Sequence, residues 1–100
     1  MQTFRFRKEL EQMALLDRRQ AELLYEGAQA LVRGDKERAR ALLLELVELN
    51  EQIPEAWLWL SGAVDDPEDQ RVALENVLVL DPDNPYAKEG LAYLDAQASR

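Results

Sequence analysis

Two small residues thirty-four positions apart, Gly27 and Ser61, occupy the same place in two similar apolar patterns. Around the first the chain reads Leu23-x-x-Glu26-Gly27-x-x-Ala30, and around the second Trp57-x-x-Leu60-Ser61-x-x-Val64. Apolar residues three and four apart mark one face of an α-helix, and a small residue within that face lets another helix backbone come close. A chain that repeats such a helix at a fixed period has to stack like units side by side, because no single unit buries its own apolar face.

The stretches between these helices carry stop and start signals. Gly34 supplies the left-handed residue that ends a helix, and Asp35 and Glu37 follow where the dipole of the next helix favours negative charge. Ala39-x-x-x-Leu43 continues as the second helix of a hairpin, with Ala39 as its small crossing residue. Further on the chain gives Pro-Glu-Ala-Trp-Leu-Trp-Leu-Ser-Gly from Pro54, Leu-Glu-Asn-Val-Leu-Val-Leu-Asp-Pro-Asp-Asn-Pro from Leu74, and Ala-Lys-Glu-Gly-Leu-Ala-Tyr-Leu from Ala87.

Period, small-residue positions and the Asp-Pro-x-Asn-Pro turn agree in one respect: the chain resembles tetratricopeptide repeat (TPR) proteins, and among them bacterial TPR-like helical repeat domains. The resemblance covers residues 20–98 and implies an all-α helical-hairpin solenoid, a TPR-like superhelix of about 2.5 repeats plus an N-terminal helix. On this register residues 1–18 form an N-terminal helical extension and residues 19–100 the TPR-like domain. Repeat 1 spans 20–53, a compressed repeat 2 spans 54–84, and a capping helix spans 85–98.

Departures from the pattern are as informative as matches. Glu51 stands where the pattern has Pro, and Gln70 where it has Ala. The stretch from Ser61 to Pro82 is three residues shorter than that from Gly27 to Glu51. This places a tight hairpin turn at Val64-Asp65-Asp66-Pro67, with Asp66 capping and Pro67 opening the next helix. The last helix starts at Pro85 and carries Lys88, Glu89, Asp95 and Gln97 on a solvent-facing side, as a terminal cap requires.

Composition narrows the function classes. One hundred residues make one small domain, and 47% hydrophobic with 32% charged residues is a folding composition. The chain has no Cys and no His, which removes disulfides, thiolate chemistry, imidazole bases and the common zinc sites. No apolar run reaches the roughly 20 residues that span a bilayer, and no apolar signal core opens the chain, so the expected location is cytoplasmic, with no membrane partner.

The net charge of −8 is uneven. Residues 1–40 hold nine basic and seven acidic groups, residues 41–100 three and thirteen. Solvated helix faces account for such charge, and the same acidic surface attracts a basic segment of a partner in a salt-dependent way.

In the family the chain resembles, the first helix of each hairpin lines a concave face. The register puts Ala21, Leu24, Ala28 and Leu31 there in the first repeat, Glu55, Leu58, Gly62 and Asp65 in the second, and Tyr86, Glu89 and Tyr93 in the last helix. Some members clamp a terminal carboxylate with Lys, Arg and Asn, whereas the first repeat here offers only Ala and Leu. The resemblance therefore implies a protein–protein interaction module for an amphipathic helix or extended segment with apolar anchors and a basic group or two. Its partner-binding residues are expected among Leu24, Ala28, Leu31, Leu58, Asp65, Tyr86, Glu89 and Tyr93. Trp57 takes the packing position of the motif and is expected in the core, and Trp59 is expected at the interface with a neighbouring helix.

The N-terminal extension brings Phe4, Phe6, Leu10, Met13 and Leu16, with no Gly or Pro before Gly27. A thin solenoid needs more cover than its own hairpins give. The extension supplies it either within the chain, as a cap, or between chains, in a structural homodimer driven by the N-terminal helix, which is the alternative function. The basic and aromatic run Phe4-Arg-Phe-Arg-Lys8 is too short to offset an acidic body, so no nucleic acid is expected.

An enzyme would have to work with carboxylates, Tyr, Lys, Arg, Thr3, Ser61 or Ser99. Ser61 holds a packing position, and the carboxylates of Asp65, Asp66, Glu68 and Asp69 surround a turn in the manner of helix capping rather than a calcium loop. No Gly-rich phosphate loop is present. No catalysis, cofactor or metal is expected.

Overall fold

The structure, a computed structural model, describes residues 18–99. The extension expected over residues 1–18 thus lies, apart from residue 18, outside the described residues. Among the described residues there are five helices and no strand: α1 over 18–32, α2 Lys36–Leu49, α3 Pro54–Ala63, α4 Pro67–Leu80 and α5 Pro85–Ala98.

Local chemistry sets each boundary. After α1 the chain turns at Gly34, whose φ of 89° is open to glycine and strained for other residues. The Gly34 N–H donates to the Leu31 carbonyl at 3.0 Å and the Asp35 N–H to the Ala30 carbonyl at 2.9 Å, which satisfies the free carbonyls of the helix end. The Asp35 carboxylate then accepts from the Arg38 N–H and caps α2. The turn at Val64–Pro67 is as short as the sequence requires, with Asp66 accepting from the Glu68 N–H at 2.8 Å and Pro67 in the first turn. Asn84 caps α5 in the same way, through the Ala87 N–H at 3.0 Å. At α3 no side chain caps; Pro54 in the first turn has no N–H to satisfy.

Successive helices run antiparallel. Arg19 at the start of α1 meets Glu45 late in α2 at 2.7 Å, Lys36 at the start of α2 meets Asp65 just past α3 at 2.7 Å, and Arg71 early in α4 meets Asp95 late in α5 at 2.7 Å. α1 and α3 also touch, and α3 reaches the apolar cluster of α4 and α5. A β-carbon on Gly62 of α3 would lie 3.1 Å from Leu31 Cδ2 of α1, and Leu58 of α3 packs on the cluster formed by Leu74, Val77, Ala87 and Leu94 of α4 and α5.

The core is two apolar clusters in series. The first joins α1, α2 and α3 through Leu23, Ala30, Leu43, Leu46 and Leu60, and the second joins α4 and α5. Trp57 packs against both, half-buried, with its indole N–H donating to the Glu51 carbonyl at 2.9 Å. Gly27 is buried where α1 crosses α2, against Leu43, and Ala39 is fully buried in the first cluster; Ser61 is half-buried, with its hydroxyl donating to the Leu58 carbonyl of its own helix at 2.6 Å.

Candidate interaction face

α1 meets α3 where Gly62 approaches Leu31, and Leu58 of α3 reaches the apolar cluster that α4 and α5 share, so the expected partner-binding residues lie on α1, α3 and α5. On α1 these are Leu24, Ala28 and Leu31, all half-buried. Leu24 and Leu31 spend part of their area on the first core cluster, and Leu58 spends part of its area on the second. These three leucines are therefore shared between packing and surface.

The α5 end is different. Tyr86 and Tyr93 are 66% and 64% exposed, and exposed Glu89 lies between them in sequence. Seven residues of helix make about two turns, so both rings project from one side of α5, roughly 10 Å apart along its axis. Trp59 of α3 is 36% exposed, a surface residue with one side covered. Tyr93 also helps line an open depression of about 450 Å³ between the start of α4 and the end of α5, together with Pro67, Arg71, Leu94 and Ala98.

Asp65 is exposed and accepts a hydrogen bond from Lys36 Nζ at 2.7 Å. That hydrogen bond, followed by the charge of Lys36, holds its carboxyl below the ordinary aspartate range, with Arg40 adding to the effect and desolvation opposing it. A basic group from a partner would have to displace Lys36. The neighbouring Asp66 is occupied in capping α4.

Two apolar features escape the repeat register. One is a stripe on α1 in which Tyr25 and Val32 are 66% and 78% exposed; its signal in sequence is the spacing of Ala21, Tyr25, Ala28 and Val32. The other is a depression of about 330 Å³ between α2 and α4, walled by Leu44 and Val72 and floored by Trp57, Leu60 and Val64. Its walls come from helices remote in sequence, so no local pattern marks it.

Among the described residues no three His, Cys, Asp or Glu side chains gather in a way that holds a metal ion, and no helix is long and apolar enough to cross a membrane. Comparison with protein-family models, with curated proteins and with solved structures finds no match for this chain.

Proposed function

We propose that this chain is a TPR-like interaction module that acts in the cytoplasm, holds a segment of a partner protein on the surface of α1, α3 and α5, and performs no catalysis. The observation that carries this reading is the Tyr86–Tyr93 pair: two large aromatic rings left in solvent on one side of α5, with a carboxylate between them. Tyr is enriched among the residues that dominate binding energy, because it combines a large apolar area with few rotatable bonds. The serial antiparallel helices, with α1 touching α3 and Leu58 of α3 packed on the cluster that α4 and α5 share, support a hairpin-repeat register for the rest of the surface. Glu55 and Glu89 favour a partner segment with one or two basic groups beside its apolar anchors.

A second reading is a structural homodimer driven by the N-terminal helix, favoured by the apolar Tyr25 and Val32 exposed on α1, the helix that follows it in sequence.

The test is selection of a displayed random peptide library on the 100-residue chain, followed by titration of the enriched peptide. Enriched sequences should pair aromatic or aliphatic anchors with Lys or Arg, and Tyr93→Ala should weaken binding by about tenfold or more, as loss of a central anchor does. Absence of enrichment, or binding indifferent to Tyr86→Ala and Tyr93→Ala, would remove this face as the site.

A further inference from the structure

We propose that α1 pairs antiparallel with α1 of a second copy of this chain, through a seam of Ala21, Tyr25, Ala28 and Val32. The starting observation is a depression of about 190 Å³ on α1, lined by Tyr25, Ala28, Gln29 and Val32 alone. These are positions i, i+3, i+4 and i+7 of one helix, the four-residue hole that receives a side chain from a facing helix in coiled-coil packing. The seam residues alternate four and three apart, as the two core positions of a heptad do, which keeps one stripe turned towards a partner helix over this length.

Among the described residues no other helix covers the stripe: Ala21, Tyr25 and Val32 are exposed and Ala28 is half-buried. Leu23 of α1 is fully buried, and Tyr25, two residues on, stands about 200° away around the helix. The seam therefore faces away from α2. The side of α1 carrying Glu22, Glu26 and Arg33 is exposed and charged, so the apolar stripe is distinct from it.

Self-complementarity identifies the occupant. With the pair centred between Glu26 and Gly27, Tyr25 of one copy faces Ala28 of the other, and Val32 faces Ala21, so each large side chain meets a small one. The same register brings Leu24 beside Leu31 and Glu22 beside Gln29, and no like charges meet. A parallel pair would instead stack Tyr25 on Tyr25 and leave voids between alanines, which cores do not tolerate. The antiparallel arrangement is isologous and closes as a two-fold dimer. Leu24, Ala28 and Leu31 of α1 belong both to this pairing and to the proposed partner face, so pairing and partner binding compete there, whereas Tyr86 and Tyr93 on α5 remain free in both copies.

The absence of native cysteine allows a direct test. Ala21→Cys and Val32→Cys chains, one carrying a tag, are mixed and oxidised. In the antiparallel register position 21 lies opposite position 32, whereas the two copies of position 21 are about 16 Å apart along the axis, too far for a disulfide whose Cα atoms stay within about 7 Å. The mixture should give a covalent mixed dimer, and neither variant alone should. The unmodified chain should show twice its 11.5 kDa mass by light scattering, returning to the single mass in Ala28→Glu with its helical signal intact. Val32→Lys, at a 78% exposed position, serves the same purpose where Ala28→Glu unfolds the chain. A single-chain mass at about 100 μM, a covalent product from either variant alone, or a dimer unmoved by the folded seam variant would overturn the proposal. The first of these is the outcome if residues 1–17 of the same chain cover the seam.

Discussion

A β-carbon on Gly27 would lie 2.8 Å from Cγ of Leu43 and 2.9 Å from its Cδ2, so the α1–α2 crossing is set by the absence of one side chain against the presence of another. Leu43 is fully buried there. Gly27→Ala therefore trades a favourable gain in helix propensity of about 1 kcal/mol against overpacking of roughly 1–3 kcal/mol. The net expectation is destabilisation of about 1 kcal/mol in urea unfolding followed by circular dichroism. Leu43→Ala should cost about 2–5 kcal/mol. The double variant should be less destabilised than the sum of the two, because the smaller side chain makes room for the new methyl. Additive behaviour would show that the two residues do not constrain each other.

Gly34 separates conformational strain from steric strain. Its φ is 89°, yet a β-carbon there would meet nothing within 4 Å. Gly34→Ala should destabilise by about 1 kcal/mol through the left-handed backbone alone, and Gly34→Asn by less, since Asn tolerates that region best among residues with a side chain. Equal stability of the wild type and Gly34→Ala would mean that the turn does not hold this conformation in solution.

The Lys36–Asp65 pair has a pH signature with a definite sign. The folded-state carboxyl of Asp65 titrates below its ordinary range because Lys36 donates to it and carries positive charge. A depressed carboxylate contributes stability above its unfolded-state pKa and loses that contribution as pH falls through the folded-state value. Both partners are exposed, so the contribution is small and screened by salt. Carbon-detected NMR titration should place Asp65 below the ordinary aspartate range, and Lys36→Met should bring it back up. Salt near 1 M, where the Debye length is about 3 Å, should reduce the difference. A titration unchanged by Lys36→Met would contradict the pairing.

The parts of the fold that were legible are those written in local chemistry. Gly34 with Asp35, Asp66 with Pro67, and Asn84 with Pro85 each combine a turn or cap with the start of a helix, and α5 spans Pro85–Ala98 as its boundaries suggest. Residue roles that depend on the distance between helices were less so. The division of Leu24, Leu31 and Leu58 between core and surface depends on how closely α1, α3 and α5 stack, which Gly62 sets for Leu31. Trp57 occupies the packing position of the repeat, but it bridges two clusters and keeps one edge in solvent. Asp65 holds a concave position in the repeat register, while the antiparallel course of α2 and α3 brings Lys36 to it from twenty-nine residues away. The α1 stripe carries a spacing signal that the repeat register passes over, because Tyr25 and Val32 hold no concave position in it.

The most direct measurement of the central claim is an NMR amide map of the chain titrated with the enriched library peptide. The account predicts that the largest shifts fall on α1, α3 and α5, around Leu24, Leu58, Tyr86 and Tyr93, and shrink as salt is added. Shifts centred on Leu44 and Val72 would contradict it and place the binding surface at the depression between α2 and α4.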